Sequence, residues 1–259
     1  MKIRRLALAL LLFALPMVNA LAMQSASGNP GAATAPFPVP FMVGEKLDYN
    51  VHFGPLRVGH GSMEVMGIVP VRGRDTWHTR LRVKGGIPLA RVDDLFESWI
   101  DMASFNSLRF VQDLSELGRD RERHFEFFPD RKTFSENGKP EQPSVDQPLD
   151  DGSFLYFVRT VPLEVGKTYE FNRYFRPDRN PVTIKVLRRE TITVPAGTFT
   201  ALVLQPVIKT SKLFADGGQA LIWLSDDSLR IMVQMKTKLS FGSLSLYLTS
   251  LRLSPAEIP

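Results

Sequence analysis

Two similar stretches of the sequence decide the fold: "VGEKLDYNVHFGPLR" at residues 43–57 and "VGKTYEFNRYFRPDR" at residues 165–179. In the first stretch, apolar side chains recur at every second position from Leu47 to Phe53, which is typical of a half-buried strand. Gly54-Pro55 then turns the chain toward a partner strand. Six residues of the first stretch recur 122 positions later, namely Val43, Gly44, Asn50, Phe53, Pro55 and Arg57.

A second pair of stretches repeats in the same order. "SWIDMASFNSLRFVQ" at residues 98–112 resembles "IWLSDDSLRIMVQ" at residues 222–234. Each has a Trp and a polar turn, followed by Ser-Leu-Arg, which is predicted to open a strand. The two matches together predict an internal duplication. The sequence therefore predicts two related β units, at residues 41–128 and 163–253.

The connector between the units, residues 129–162, is predicted to hold a surface loop and one short helix. Asp150 or Asp151 is the expected N-cap, and the spacing of Phe154, Phe157 and Val158 predicts one apolar helix face. Short strands and frequent turn signals dominate the rest of the chain. The fold class is thus predicted to be all-β and mainly antiparallel, as a sandwich or a half-open barrel.

The N-terminus is typical of a cleaved export signal at residues 1–22. Basic residues at positions 2, 4 and 5 precede a short apolar run, which is too short to span a membrane. Residues 23–40 are small and rich in Pro and Gly, which predicts a disordered linker, and residues 254–259 form a tail. The sequence has no Cys and hence no lipid-anchor site. A periplasmic protein without a transmembrane segment after cleavage is expected.

Charge argues against nucleic-acid binding. The formal net charge of +5 falls to +2 once the signal is removed, because 29 Lys and Arg then face 27 Asp and Glu along the chain. Nucleic-acid binding requires clustered positive charge.

No catalytic, metal or cofactor site is predicted. The four histidines, at positions 52, 60, 78 and 124, lack the spacing of metal ligands. Asp94, Glu97 and Asp101 flank Trp99 and suggest a carboxylate-dependent hydrolase of envelope polymers as the weakest alternative. A solvated strand face is the favoured interpretation of these carboxylates.

The 18 Phe, 5 Tyr and 3 Trp suggest two further functions. In the first, the protein is non-enzymatic and encloses a lipid or another apolar, envelope-derived ligand. The candidate ligand-binding residues are Phe96, Trp99, Phe154, Phe157 and Trp223. In the second, the aromatic residues fill a solid core, and the protein is an envelope structural or interaction module that contacts other envelope proteins.

The chain resembles a bacterial family, domain-of-unknown-function family 3108. The resemblance rests on "VGEKLDYNVHFGPLRVGHGSMEV", "DDLFESWID", "DDGSFLYFVRTVPLEVGKTYEF", "VPAGTFTALVLQP" and "WLSDDSLRIMVQM". These stretches follow in the expected order over nearly the whole mature chain. The resemblance implies an exported, periplasmic, all-β protein and brings no catalytic residues.

Overall fold

The structure, a computed structural model, describes residues 36–87, 90–116, 119–207, 220–239 and 242–253. The predicted signal peptide, residues 23–35 of the predicted linker and the predicted tail lie outside these residues. No helix among the described residues is long and apolar enough to cross a membrane.

Fourteen strands and one α-helix form the described fold. The first eight strands are β1 (Lys46–Phe53), β2 (Leu56–Val71), β3 (Arg74–Ile87), β4 (Ala90–Asp101), β5 (Ser107–Glu116), β6 (Arg119–Phe128), β7 (Thr133–Glu136) and β8 (Gln142–Pro143). The helix α1 (Asp151–Phe157) follows, and single 3-10 turns span Pro129–Arg131, Val158–Thr160 and Pro177–Arg179. The last six strands are β9 (Thr168–Phe171), β10 (Val182–Val194), β11 (Gly197–Val207), β12 (Ala220–Ser225), β13 (Met232–Leu239) and β14 (Gly242–Arg252).

All fourteen strands belong to one open sheet. Their order is β8-β7-β6-β5-β4-β3-β2-β1-β14-β13-β12-β11-β10-β9, and each neighbouring pair is antiparallel. The first and last long strands, β1 and β14, pair at the centre and join the two halves. The predicted all-β, mainly antiparallel fold with a short connector helix is confirmed. A single open sheet fits the half-open barrel rather than the sandwich.

The same backbone features recur in both halves of the sheet. Gly44 and Gly166 both have positive φ, at 87° and 83°, which favours glycine at these two turns. Each amide donates to a carbonyl on the next long strand at 2.8 Å, from Gly44 to Val65 and from Gly166 to Val186. A β-bulge follows Val65 and another follows Val186. The repeated sequence therefore encodes a repeated turn and bulge.

The second matched block needs a correction. A bulge follows both Trp99 and Trp223, as the match implies. The prediction that residues 228–230 open a strand is wrong, because β13 begins only at Met232. Arg230 instead has a φ of 50°, like Phe105 with 57° before β5, so both residues belong to the turn. The match to Ser-Leu-Arg at residues 107–109, which do open β5, therefore placed the start of this strand too early.

The connector also differs from the prediction, since it adds β7 and β8 to the edge of the sheet instead of forming only a loop and a helix. Phe134 supplies the reason, because it pairs with Phe127 on β6 and is only 1% exposed. Within the sequence 135–152, the Pro and Gly residues that suggested a loop come after this apolar anchor.

The helix α1 lies against β3 and β4 and is buried along nearly its whole length. Asp150 is its N-cap, as one of the two predicted alternatives, and accepts hydrogen bonds from the amides of Gly152 and Ser153 at 2.8 Å. We call the sheet face that packs on α1 the inner face and the opposite face the outer face.

Residues 37–40 of the predicted linker pack on the core. The amide of Phe37 donates to the carbonyl of Met102 at 2.6 Å, and its ring lies 5.2 Å from that of Phe105. Val39 is also packed against the core. The predicted linker should therefore end before Phe37, because its last apolar residues pack against the apolar surface of the core.

Candidate functional site

Aromatic side chains fill the space between α1 and the inner face. Phe105 is fully buried, and its ring centroid lies 6.0 Å from that of Trp77 and 5.8 Å from that of Phe157. Phe41 packs edge-on against Trp77 at 5.4 Å and against Tyr156 at 5.1 Å. Such contacts are typical of a close-packed core rather than a ligand cavity.

A second aromatic cluster surrounds Phe175, which follows β9. Its ring centroid lies 5.4 Å from that of Phe125, 5.3 Å from that of Phe127 and 5.1 Å from that of Phe134. Phe175 is itself only 2% exposed. A side chain from the second half of the chain thus completes the core of the first half.

Three of the five predicted ligand-binding residues lie in this filled interior. Phe154 and Phe157 are buried on α1 with centroids 6.5 Å apart. Phe96 is half-buried on β4 and stacks on Phe110 at 6.2 Å.

The two tryptophans lie elsewhere. Trp99 stands between Ser98 and Ile100, which are buried on the inner face, so strand alternation places its ring on the outer face. There it stacks on His78 at 4.4 Å. Trp223 is buried among β-strands of the second half and donates from Nε1 to Glu190 at 2.5 Å. The structure does not bring the five residues together, and their role in binding stays a prediction.

The three candidate carboxylates also fail to converge. Glu97 accepts hydrogen bonds from Arg80 at 2.9 and 3.0 Å and lies 3.2 Å from His78, whose pKa is lowered by burial while Glu97 opposes that shift. Asp101 accepts from Arg74 at 2.5 Å and closes the turn after β4. Asp94 is three positions from Glu97 on the same strand and therefore lies on the opposite face.

No metal site is evident in the part of the chain that the structure describes, where no three His, Asp or Glu side chains come together as ligands. His52 packs edge-on against Tyr247 at 5.1 Å. His124 lies 2.7 Å from Glu122 on an exposed strand.

The outer face carries a depression over β1, β2 and β3, bordered by β14, with a volume of about 530 Å³. We call it the central groove. Its lining consists mostly of polar and cationic residues, namely Lys46, Asp48, Tyr49, Asn50, Arg57, His60, Gly61, Ser62, Arg82, Lys84 and Thr249.

Ion pairs hold three of the four cations of the central groove. Lys46 lies 3.2 Å from Glu64, and Arg82 and Lys84 share Asp93 at 2.9 and 3.0 Å. Hydrogen bonds from Arg82 and then Lys84 lower the pKa of Asp93 to about 2, so this carboxylate is ionised near neutral pH.

Arg57 is the fourth cation, and it is exposed next to His60. Among the described residues, neither side chain forms an ion pair or a hydrogen bond, which leaves their donors facing the groove. A bulge explains why Arg57 faces outward. The register shifts between Val51 and His52, so Arg57 pairs with His52 and joins the outer face.

Sequence reasoning missed this groove because its residues come from four strands and meet only through their register. The outward alternation of Lys46, Asp48 and Asn50 along β1 was a usable signal. Arg82 and Lys84 alternate in the same way along β3, but the sequence does not indicate which residues lie across the sheet from them.

A second cluster of buried polar groups surrounds Asp150 at the N-terminus of α1. Its Oδ1 accepts from the Ser98 hydroxyl at 2.6 Å as well as from the two helix amides, while its Oδ2 is buried without a hydrogen-bond partner among the described residues. Burial raises the pKa of Asp150 to about 6, although the hydrogen bond from the Ser98 hydroxyl opposes that shift.

This raised pKa predicts a pH-dependent stability. Below the unfolded-state pKa, Asp150 is protonated in both states. As the pH rises from about 4 through about 6, the free energy of unfolding falls by about 3 kcal/mol, because the carboxyl ionises more readily in the unfolded state. Asp150→Asn keeps an N-cap side chain but does not titrate.

Urea unfolding of both proteins from pH 4 to pH 7 measures the difference. We expect the free energy of unfolding of the wild type to fall relative to that of Asp150→Asn across this range. Parallel pH profiles would contradict the assignment.

Comparisons with known proteins agree with the fold. The model of the family described as "Protein of unknown function (DUF3108)" matches residues 48–249. A solved β-barrel-like protein of the domain of unknown function DUF1849 from Brucella abortus has a TM-score of 0.53 and 11% identity, covering 84% of this chain and 100% of its own. At this identity the likeness concerns the fold alone.

Two further solved structures cover 84% of this chain at TM-scores of 0.30, which support no inference. One is a candidate lipoprotein from Parabacteroides distasonis, with 10% identity and 99% of its own chain covered. The other is a candidate exported protein with a YmcC-like fold from Bacteroides fragilis, with 12% identity and 100% covered. No curated protein matches the sequence.

Proposed function

This chain belongs to the DUF3108 family of proteins of unknown function, and we propose that it is an exported cell-envelope protein that acts by binding a partner on its outer surface. The proposal makes it a non-enzymatic interaction module of the periplasm. The charged and apolar segments at the N-terminus support export.

The observation that carries the proposal is the filled interior. A lipid carrier needs a hollow that holds most of its ligand. Here the helix α1 and its aromatic neighbours occupy the inner face of the sheet, and Phe105, Phe154 and Tyr156 are at most 2% exposed. An apolar ligand would have to displace these rings.

The anchoring of α1 also argues against displacement. Its N-terminus is held by the Asp150 cap, and Arg159 just beyond its C-terminus forms a buried ion pair with Glu45. Tyr156 in its middle donates to the carbonyl of Glu64 at 3.1 Å. Moving the helix would break all three interactions, so the outer face is the side of the sheet that α1 leaves accessible.

Native mass spectrometry of the exported protein tests the filled interior. We expect the mass of the polypeptide alone and no uptake of a fluorescent fatty acid. A stoichiometric lipid adduct would overturn the proposal and restore the apolar-ligand hypothesis.

Site-specific photo-crosslinking in cells tests the surface. A photoreactive amino acid in place of His60, in the central groove, should give a discrete adduct. The same amino acid in place of Thr193, which is exposed on β10, is the matched control and should give none. An adduct at Thr193 alone, or at neither position, would overturn the assignment of the groove as the binding surface.

A further inference from the structure

We propose that the central groove binds a phosphate-bearing polar ligand of head-group size, an inference that rests on the proposed function and names the ligand class. Arg57 and Lys84 would contact the phosphate oxygens. Asn50, Ser62 and Thr249 would accept or donate hydrogen bonds to hydroxyl groups beside the phosphate.

The first argument is charge. Four cationic side chains line the central groove, whereas Asp48 is its only acidic lining residue. Glu64 and Asp93 next to it neutralise two charges at most, and Asp93 is shared between Arg82 and Lys84. Among the described residues, Arg57 is therefore the lining cation without a carboxylate partner, which favours an anion.

The second argument is the set of free donors. Arg82 uses Nε and Nη2 on Asp93, while Lys84 makes one contact and keeps further N–H donors. Arg57 keeps its whole guanidinium, whose fork of N–H groups matches the spacing of phosphate oxygens. Its exposed position on the groove wall lets a ligand approach without moving the backbone.

The third argument is size and polarity. A volume of about 530 Å³ is in the range of small-molecule sites rather than of polymer-binding clefts. Tyr49 is the one aromatic residue of the lining, and its ring points to the inner face, where its hydroxyl donates to the carbonyl of Met232 at 2.8 Å. Apart from the His60 imidazole, the groove thus offers no aromatic ring, and it has no aliphatic residue for an apolar ligand.

The experiment is an NMR titration of the full exported protein with inorganic phosphate and with sn-glycerol 3-phosphate. We expect saturable amide shifts that cluster at residues 57–62 and 82–84. The variant Arg57→Gln/Lys84→Gln should bind about tenfold more weakly or worse, because charge-assisted hydrogen bonds carry most of the affinity.

The control variant is Lys185→Gln, which removes an exposed cation of β10 outside the groove. It should leave the affinity unchanged. Scattered shifts, or an equal loss in Lys185→Gln, would overturn the proposal because they would indicate general attraction by the surface charge.

Flotation with vesicles distinguishes the sources of the phosphate. Binding to phosphatidylcholine vesicles that contain one quarter phosphatidylglycerol, lost in Arg57→Gln/Lys84→Gln, would identify a lipid head group. Binding of sn-glycerol 3-phosphate without vesicle binding would identify a soluble ligand. If neither binds while the His60 crosslink persists, the ligand class is wrong and the proposed surface stands.

Discussion

Replacing Arg159 by Met is expected to lower the free energy of unfolding by about 3–5 kcal/mol, because it leaves a buried carboxylate without its partner. The side chain of Arg159 is fully buried and donates to both oxygens of Glu45, at 2.7 and 2.9 Å. It also donates to the carbonyl of Leu229 at 2.9 Å. The substitution thus removes the contacts by which Arg159 connects the end of α1 with the segment before β1 and with the turn before β13.

Equilibrium urea unfolding measures this loss, and Arg189→Met is the matched control. Arg189 pairs with Asp226 at 2.6 Å, but its side chain is 61% exposed, so its loss should cost less than about 1 kcal/mol. The double variant Glu45→Met/Arg159→Met should recover much of the stability, because no charge is then left buried. Similar losses in the two single Arg variants would disprove the special role of the buried pair.

Gly59→Ala is expected to destabilise the protein by about 3 kcal/mol or more, or to prevent folding. A Cβ at this position would lie 2.0 Å from the carbonyl oxygen of Lys84 and 2.5 Å from the Cα of Gly85. Both are backbone atoms, so β2 and β3 would have to separate where they border the central groove. Thermal and urea unfolding of the purified variant test the expectation.

Gly67→Ala on the same strand is the control for this substitution. An added Cβ there meets no heavy atom within 4 Å, so the stability should change by no more than about 0.5 kcal/mol. If both variants lose the same amount, the cost belongs to the general effect of Gly replacement in a strand and not to the close approach at Gly59.

Local patterns predicted most of the elements. The alternation from Leu47 to Phe53 corresponds to β1, and the Asp150 cap with its apolar face corresponds to α1. The repeated Val-Gly turn corresponds to two turns with the same hydrogen bonds. These features depend on a few neighbouring residues, so sequence alone is sufficient to indicate them.

The candidate site was harder to predict because it depends on the strand register and on which face of the sheet each side chain occupies. Phe96 and Trp99 are three positions apart, and period two already places them on opposite faces of β4. Grouping them by aromatic character overlooked that signal. The outward position of Arg57 depends on a single-residue bulge at Val58, which the period-two pattern does not predict.

The pairing of β1 with β14 has a consequence for how the protein is made. The two strands that form the central seam are separated by nearly the whole described chain, since Lys46 pairs with Arg252. Until the last strand is synthesised, β1 presents an unpaired edge, and contacts between such distant residues form slowly. Chains that stop before residue 242 should therefore aggregate through this edge, so that only complete copies accumulate in the folded state.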